Sequence, residues 1–248
     1  MVSLISQLLI SPAPSSAPIT CHVPPSPAVS PWLTPIAYPL LRYGVMPTFF
    51  DEITVVGQEN VPKAGPVILA PTHRSRWDAL VVAYATGRHV TGRDVHFMVT
   101  SDEMNGLQGW LIRQLGGFPV NPRQPAIASL RFGMDILKDN GMMVMFPEGA
   151  IFRDRCLHPL KPGLARLAIR AENTNPQLGV QVVPMNLIYS DAIPSKGTSI
   201  TVQIGPPIEV KFYRTSPTAF DSCKRQAQQL TQDLAIAFVN LGAQIAND

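Results

Sequence analysis

The chain has 248 residues, 46% of them hydrophobic and 15% charged, with a net charge of +3, and that length buries a sizeable core as one large domain or two small ones. So few charges, without a recognition motif, speak against a nucleic-acid partner, and three scattered cysteines without C-x-x-C spacing speak against a disulfide framework or a zinc site and for a reducing compartment. The mean hydropathy of +0.11 implies apolar surface to hide in a membrane, a ligand or a partner.

Residues 1–41 hold no Asp, Glu, Lys or Arg and nine of the 25 prolines. Residues 1–30 therefore read as a flexible Pro/Ser-rich tail. Met1–Ile10 is apolar but lacks the basic start of a signal peptide, and residues 11–30 lack the arginines of a transit peptide. Residues 31–50 are apolar and carry Trp32, Tyr38, Tyr43, Phe49 and Phe50, so they either meet a membrane interface or pack on the domain as a first short helix. The prolines break every apolar run long enough to span a bilayer.

From residue 51 the pattern alternates. Strand-like runs fall at 53–57, 67–70, 95–100, 142–146, 181–189 and 199–204, and helix-like runs at 76–86, 105–115, 125–139, 162–172 and 217–244. Gly141 marks the expected stop of the third helix. Interleaved strands and helices predict an α/β fold over 51–248, a single domain with a mostly parallel central sheet flanked by helices. Its sites should gather where strands lead into helices.

Two segments occupy such places: P-T-H-R-S-R-W-D at 71–78 and F-P-E-G at 146–149. His73 and Asp78 stand five positions apart, which on one continuous helix would turn them about 140° from each other. They meet if a turn intervenes. Ser75-x-x-Asp78 before the apolar run 79–83 supplies one, reading as a helix N-cap with an acid at the third helical position. An imidazole titrates near neutrality, and one oriented by a carboxylate can take a proton from an alcohol. Backbone N–H groups at 75–78 are the natural donors for an oxyanion. In the second segment Gly149 lets the backbone turn tightly, and Glu148 should point into the same crevice, to grip a hydroxyl or an arginine. Met142, Met143 and Met145 read as sheet core. A metal site on His73 and Asp78 has no third ligand at a sensible spacing.

These segments, with G-W-L-I-R-Q-L-G-G-F-P-V-N-P-R, L-K-P-G-L-A-R-L-A at 160–168, V-V-P-M at 182–185 and I-G-P-P-I-E-V at 204–210, resemble the glycerolipid acyltransferase family of the 1-acylglycerol-3-phosphate acyltransferase type. The resemblance implies that His73 is the general base and Asp78 the acid that orients it. It implies that Arg123 binds the acceptor's phosphate, that Glu148 and Gly149 form the acceptor-binding turn, that Lys161 and Gly163 form a K-x-G element, and that Pro184 lies near the acyl channel. It further implies acyl transfer from a thioester of coenzyme A or acyl carrier protein to a lysophospholipid hydroxyl. No other cofactor and no covalent acyl-enzyme are implied, and the protein would sit peripherally or monotopically on the cytoplasmic face of a membrane. The family usually continues F-P-E-G with a small hydroxylated residue and an arginine. Here Ala150-Ile151-Phe152 delays the arginine to Arg153, so Arg153, Arg155 or Lys161 is expected to reach the phosphate, or the acceptor differs. Two rivals are a hydrolase or ping-pong transferase with Ser75 as nucleophile, and a catalytically silent lipid-binding protein.

Overall fold

The computed structural model describes residues 29–120, 127–214 and 220–246. The first elements are α1 (Thr34–Leu40), a π-helical turn over Leu41–Val45 and α2 (Met46–Phe49). Pro39, inside α1, cannot donate to the carbonyl one turn back, and the π turn begins two residues later. There follow β1 (Phe50–Val56), β2 (Val67–Pro71), α3 (Asp78–Thr86), α4 (Arg88–Thr91), β3 (Val95–Thr100), α5 (Gly106–Gln114), β4 (Gly117–Val120) and α6 (Ile127–Lys138). The chain continues through β5 (Met142–Val144), β6 (Cys156–Leu157), α7 (Gly163–Thr174), β7 (Gln181–Tyr189), β8 (Thr198–Ile204), β9 (Ile208–Glu209), α8 (Phe220–Asn240) and β10 (Gln244–Ile245). Every expected strand and helix overlaps an observed one. The strands β4, β6 and β9 lie outside the expected runs, and β10 takes up the end of the run expected as helix to 244, because two to four residues carry too little periodicity to read. The third long helix stops as expected, but the left-handed residue is Asn140 (φ 56°), with the Gly141 N–H reaching back to the Ile136 carbonyl at 2.7 Å.

The main sheet runs β1–β8–β7–β2–β5–β3–β4, with β9 beside β7. Pairing is parallel except where β7 meets β8 and β9. β2 is Val-Ile-Leu-Ala-Pro with all five residues buried, the unbroken apolar run of a strand covered on both faces. β8, near the edge, alternates buried and half-buried residues instead.

Helices cover both faces. Ile68, Ala70, Met143 and Val182 pack with residues of α6, α7 and α8. Val67, Leu69, Val144 and Val183 pack with α3 and with Val45, Met46, Phe49 and Phe50 of the entering segment. This three-layer arrangement has a consequence for position. β2 and β5 are neighbours, yet the helix after β2 lies on one face and the helix after β5 on the other. The carboxyl ends of these two strands are therefore the place where such a sheet forms its binding crevice.

The entering segment is two-sided. Tyr38 on α1 is fixed to the domain, its hydroxyl accepting from the Val95 N–H at 3.1 Å, and burial pushes its phenol pKa up to about 12. On the outer side Trp32, Ile36, Leu40 and Tyr43 are 46–76% exposed. They recur three to four residues apart, which places them on one stripe. Leu107, Trp110 and Leu111 form a second exposed stripe on α5. A bond from the Ser30 N–H to the Gln114 carbonyl (2.9 Å) ties the start of the segment to the end of α5.

Candidate active site

β2 delivers Thr72 and His73 to the crevice, and β5 delivers Phe146, Pro147 and Glu148. Thr72 is buried and locks the strand end to β7, its N–H donating to the Met185 carbonyl and its Oγ1 accepting from the Leu187 N–H, both at 2.9 Å. The backbone around His73 is then held from three sides. Its N–H donates to Glu148 Oε2 at 2.8 Å, and its carbonyl accepts from the Phe152 N–H at 2.9 Å. The ring stacks on Phe146, centroids 3.9 Å apart and planes 19° from parallel.

His73 Nδ1 lies 2.8 Å from Asp78 Oδ2. The Asp78 carboxylate is fully buried, so it needs donors on each oxygen. Oδ2 also accepts from the N–H groups of Arg74 (2.6 Å) and Ser75 (2.8 Å), and Oδ1 accepts from the Tyr189 hydroxyl (2.7 Å). A carboxylate so engaged is an acceptor for an Nδ1–H, which leaves the lone pair on Nε2. The His73 side chain is 20% exposed, and Nε2 makes no hydrogen bond among the described residues. The site therefore presents an imidazole oriented through Nδ1, with Nε2 left without a protein partner among the described residues.

The turn between His73 and Asp78 forms as expected in its bonds, but the regular helix begins later. Ser75 Oγ accepts from the Trp77 N–H at 3.2 Å and Asp78 reaches back to the Ser75 N–H, the two halves of a capping box. Both fall in the turn before α3, which opens at Asp78 with Trp77 in the cap position and no side-chain bond there. The amides of Ser75, Trp77 and Asp78 donate within this turn, to Asp78 Oδ2, Ser75 Oγ and the Ser75 carbonyl. For these three amides, that corrects the expectation that the N–H groups at 75–78 face an oxyanion. No hydrogen bond joins Ser75 to His73, so the two do not form a nucleophile–base pair.

Glu148 requires a second correction. It does not face the crevice: only 1% of it is exposed, and both oxygens are saturated. Arg74 Nη1 donates to Oε2 at 2.8 Å and Oε1 at 3.0 Å, and the N–H groups of His73 and His158 complete the set. Of the two partners expected for this glutamate, it holds the arginine. Arg74 Nη2 continues to the Cys156 carbonyl at 2.9 Å, tying the strand ends to the loop that follows F-P-E-G.

In that loop Phe152 stacks on His158 at 3.7 Å, and His158 Nε2 lies 2.6 Å from Asp154 Oδ2. Arg153, the next residue after Phe152, is exposed. Arg155 is exposed too, but its guanidinium donates to the Ser190 carbonyl. Gly149 has φ +72°, and a Cβ there would lie 2.8 Å from both Cδ and Nζ of Lys161, whose side chain crosses above it. Gly149→Ala is expected to destabilise the fold by about 1–2 kcal/mol from left-handed strain alone, read as a lower denaturation midpoint; an unmoved midpoint would contradict this account. Gly163 opens α7. Pro184 is buried within β7, opposite Ala70 and against Gly205. Arg123 lies outside the described residues. A separate cavity of about 360 Å³, lined in part by His96, Phe132 and Met142, sits at the amino ends of β3 and β5 and takes no part in this site.

Sequence reasoning assigned no role to Phe146 and Tyr189, and it counted Arg74 among the cations that could hold a phosphate rather than as the partner of Glu148. Arg74 had a signal, a basic residue beside His73 with an acid expected nearby. Tyr189 had none, since its contact joins residues 111 apart.

Comparison with known proteins places this geometry among relatives. A family model described as Acyltransferase matches residues 52–188. The chain is 27% identical over 149 residues to the 1-acyl-sn-glycerol-3-phosphate acyltransferase of Streptococcus pneumoniae strain R6, a stretch covering 58% of this chain and 50% of that protein. It is 26% identical over 153 residues to the 1-acyl-sn-glycerol-3-phosphate acyltransferase LPAT1, chloroplastic, of Arabidopsis thaliana, covering 60% of this chain and 39% of that one. The match thus spans half or less of the length of these curated relatives. The crystal structure of the 1-acyl-sn-glycerophosphate acyltransferase PlsC from Thermotoga maritima shares the fold, with a TM-score of 0.54 at 20% identity over 79% of this chain and 74% of that chain.

Proposed function

Since the chain belongs to the acyltransferase family, whose model covers more than half of it, we propose that it moves a fatty acyl group from a thioester to the free hydroxyl of a lysophospholipid. The acceptor that fits its relatives is 1-acylglycerol-3-phosphate, giving phosphatidate, and the donor is acyl-CoA or acyl-ACP. One observation carries the mechanism: His73 is aimed by Asp78 at 2.8 Å and leaves Nε2 open. Nε2 takes the acceptor's hydroxyl proton as that oxygen attacks the thioester carbonyl. The new C–O bond forms, the C–S bond breaks, and the departing thiolate recovers the proton from His73. Asp78 stabilises the imidazolium in between. With Ser75 bonded within its own turn, direct attack by the acceptor is favoured over a covalent acyl-enzyme.

The exposed cations Arg153 and Lys161 flank the loop and turn beside His73 and are the groups suited to the acceptor's phosphate. Turnover with lysophosphatidate and either donor, slowed by about two to four powers of ten in His73→Ala, is the expected result. Turnover only with lysophosphatidylglycerol would move the reading to another acceptor, and lipid binding without turnover of either would overturn it.

An acceptor of this kind resides in a membrane, and the two exposed apolar stripes suit an interfacial contact rather than a spanning one. No described helix is long and apolar enough to cross a bilayer. Trp32→Glu combined with Tyr43→Glu should weaken co-sedimentation with anionic vesicles by about tenfold without lowering the melting temperature. Undiminished co-sedimentation would remove this surface from the proposal.

A further inference from the structure

We propose that Tyr189 is a positioning residue for acyl transfer, acting through Asp78 by donating its hydroxyl hydrogen bond to the carboxylate oxygen that His73 does not use. This rests on His73 being the base. The Tyr189 hydroxyl lies 2.7 Å from Oδ1, while His73 lies 2.8 Å from Oδ2, so the carboxylate is clamped between phenol and imidazole. Rotation about Cβ–Cγ moves both oxygens together, so the hydroxyl on Oδ1 adds to the three donors on Oδ2 in resisting it and stiffens the plane in which the imidazole must lie.

The phenol is suited to the task. Tyr189 closes the carboxyl end of β7, is 4% exposed, and sits near Phe50, ring centroids 6.2 Å apart. Burial first, and the Asp78 charge second, hold its pKa well above that of an ordinary tyrosine, so it stays a donor wherever the enzyme works. The hydrogen bond also withdraws negative charge from Asp78 and so moderates its pull on the His73 proton. The other charged groups around this relay are already engaged or lie at its rim: the Arg74–Glu148 and His158–Asp154 pairs, Lys161 above Gly149, and Arg155 and Asp191 beyond the end of β7.

Tyr189→Phe removes one oxygen and keeps the ring. It should lower kcat by about tenfold at little cost in KM. It should also move the acidic limb of the kcat profile to higher pH, by about half a unit, because the less neutralised Asp78 holds the imidazolium more tightly. A merely structural tyrosine would leave that limb in place. In an Asp78→Asn background the same substitution should cost nearly nothing further. An unmoved limb, or full additivity with Asp78→Asn, overturns the proposal.

If Tyr189→Phe does not fold, the unaltered protein supplies the readout. The ¹³Cζ resonance of labelled Tyr189 should step at the pH where the His73 ring titrates, and a flat resonance overturns the proposal. These outcomes stay distinct from failure of the functional reading, which would show as activity surviving His73→Ala.

Discussion

Replacing His73 with alanine is expected to slow acyl transfer by about two to four powers of ten while leaving the fold nearly as stable as before. The two halves of this expectation have separate grounds. The loss in rate follows from the proposed role of His73 as the base, with Nε2 left without a protein partner among the described residues. Survival of the fold follows from what remains around Asp78. Truncation of the imidazole removes one donor from a fully buried carboxylate, but the N–H groups of Arg74 and Ser75 still reach Oδ2 and the Tyr189 hydroxyl still reaches Oδ1. The buried charge therefore stays solvated by the protein. Steady-state rates under saturating donor, paired with a melting curve, check both halves. A stable variant with undiminished turnover would end the general-base account.

How much of this was legible in the sequence depends on the range of each contact. The strand-turn-helix unit at 67–86 is local, and its parts announce themselves: a short apolar run, a capping pair, a second apolar run. The His73–Asp78 bond follows from that local geometry. Placing F-P-E-G beside it required the parallel order of β2 and β5, which the alternation of strands and helices foretold without giving neighbours. The direction of Glu148 was out of reach. Exposed and buried glutamates look alike in sequence, and the choice between a ligand and Arg74 is made by burial, where an unpaired charge is intolerable. The amides of Ser75, Trp77 and Asp78 misled for a related reason, since a capping turn consumes N–H groups that it displays. The entering segment 31–50 defied a single reading because it has two faces, with Met46 and Phe49 buried and Trp32 and Tyr43 exposed.

The corrected position of Glu148 yields the second large effect. Glu148→Ala would strand Arg74, whose side chain is only 7% exposed, beside the N–H groups of His73 and His158. Breaking one partner of a buried pair typically costs about 3–5 kcal/mol, and the two stranded amides act in the same direction. A large fall in the chemical denaturation midpoint is therefore expected. A glutamate that gripped the acceptor from the crevice would behave otherwise: its loss would raise KM for the acceptor and leave the midpoint alone. Glu148→Gln sharpens the contrast, because the amide keeps the shape and one acceptor oxygen but carries no charge for the guanidinium. It should fall between wild type and alanine in stability. Because the Glu148 oxygen also holds the His73 backbone, kcat should fall with stability across the two variants while KM stays nearly constant. An intact midpoint with raised KM would return Glu148 to the substrate and leave Arg74 without its assigned partner.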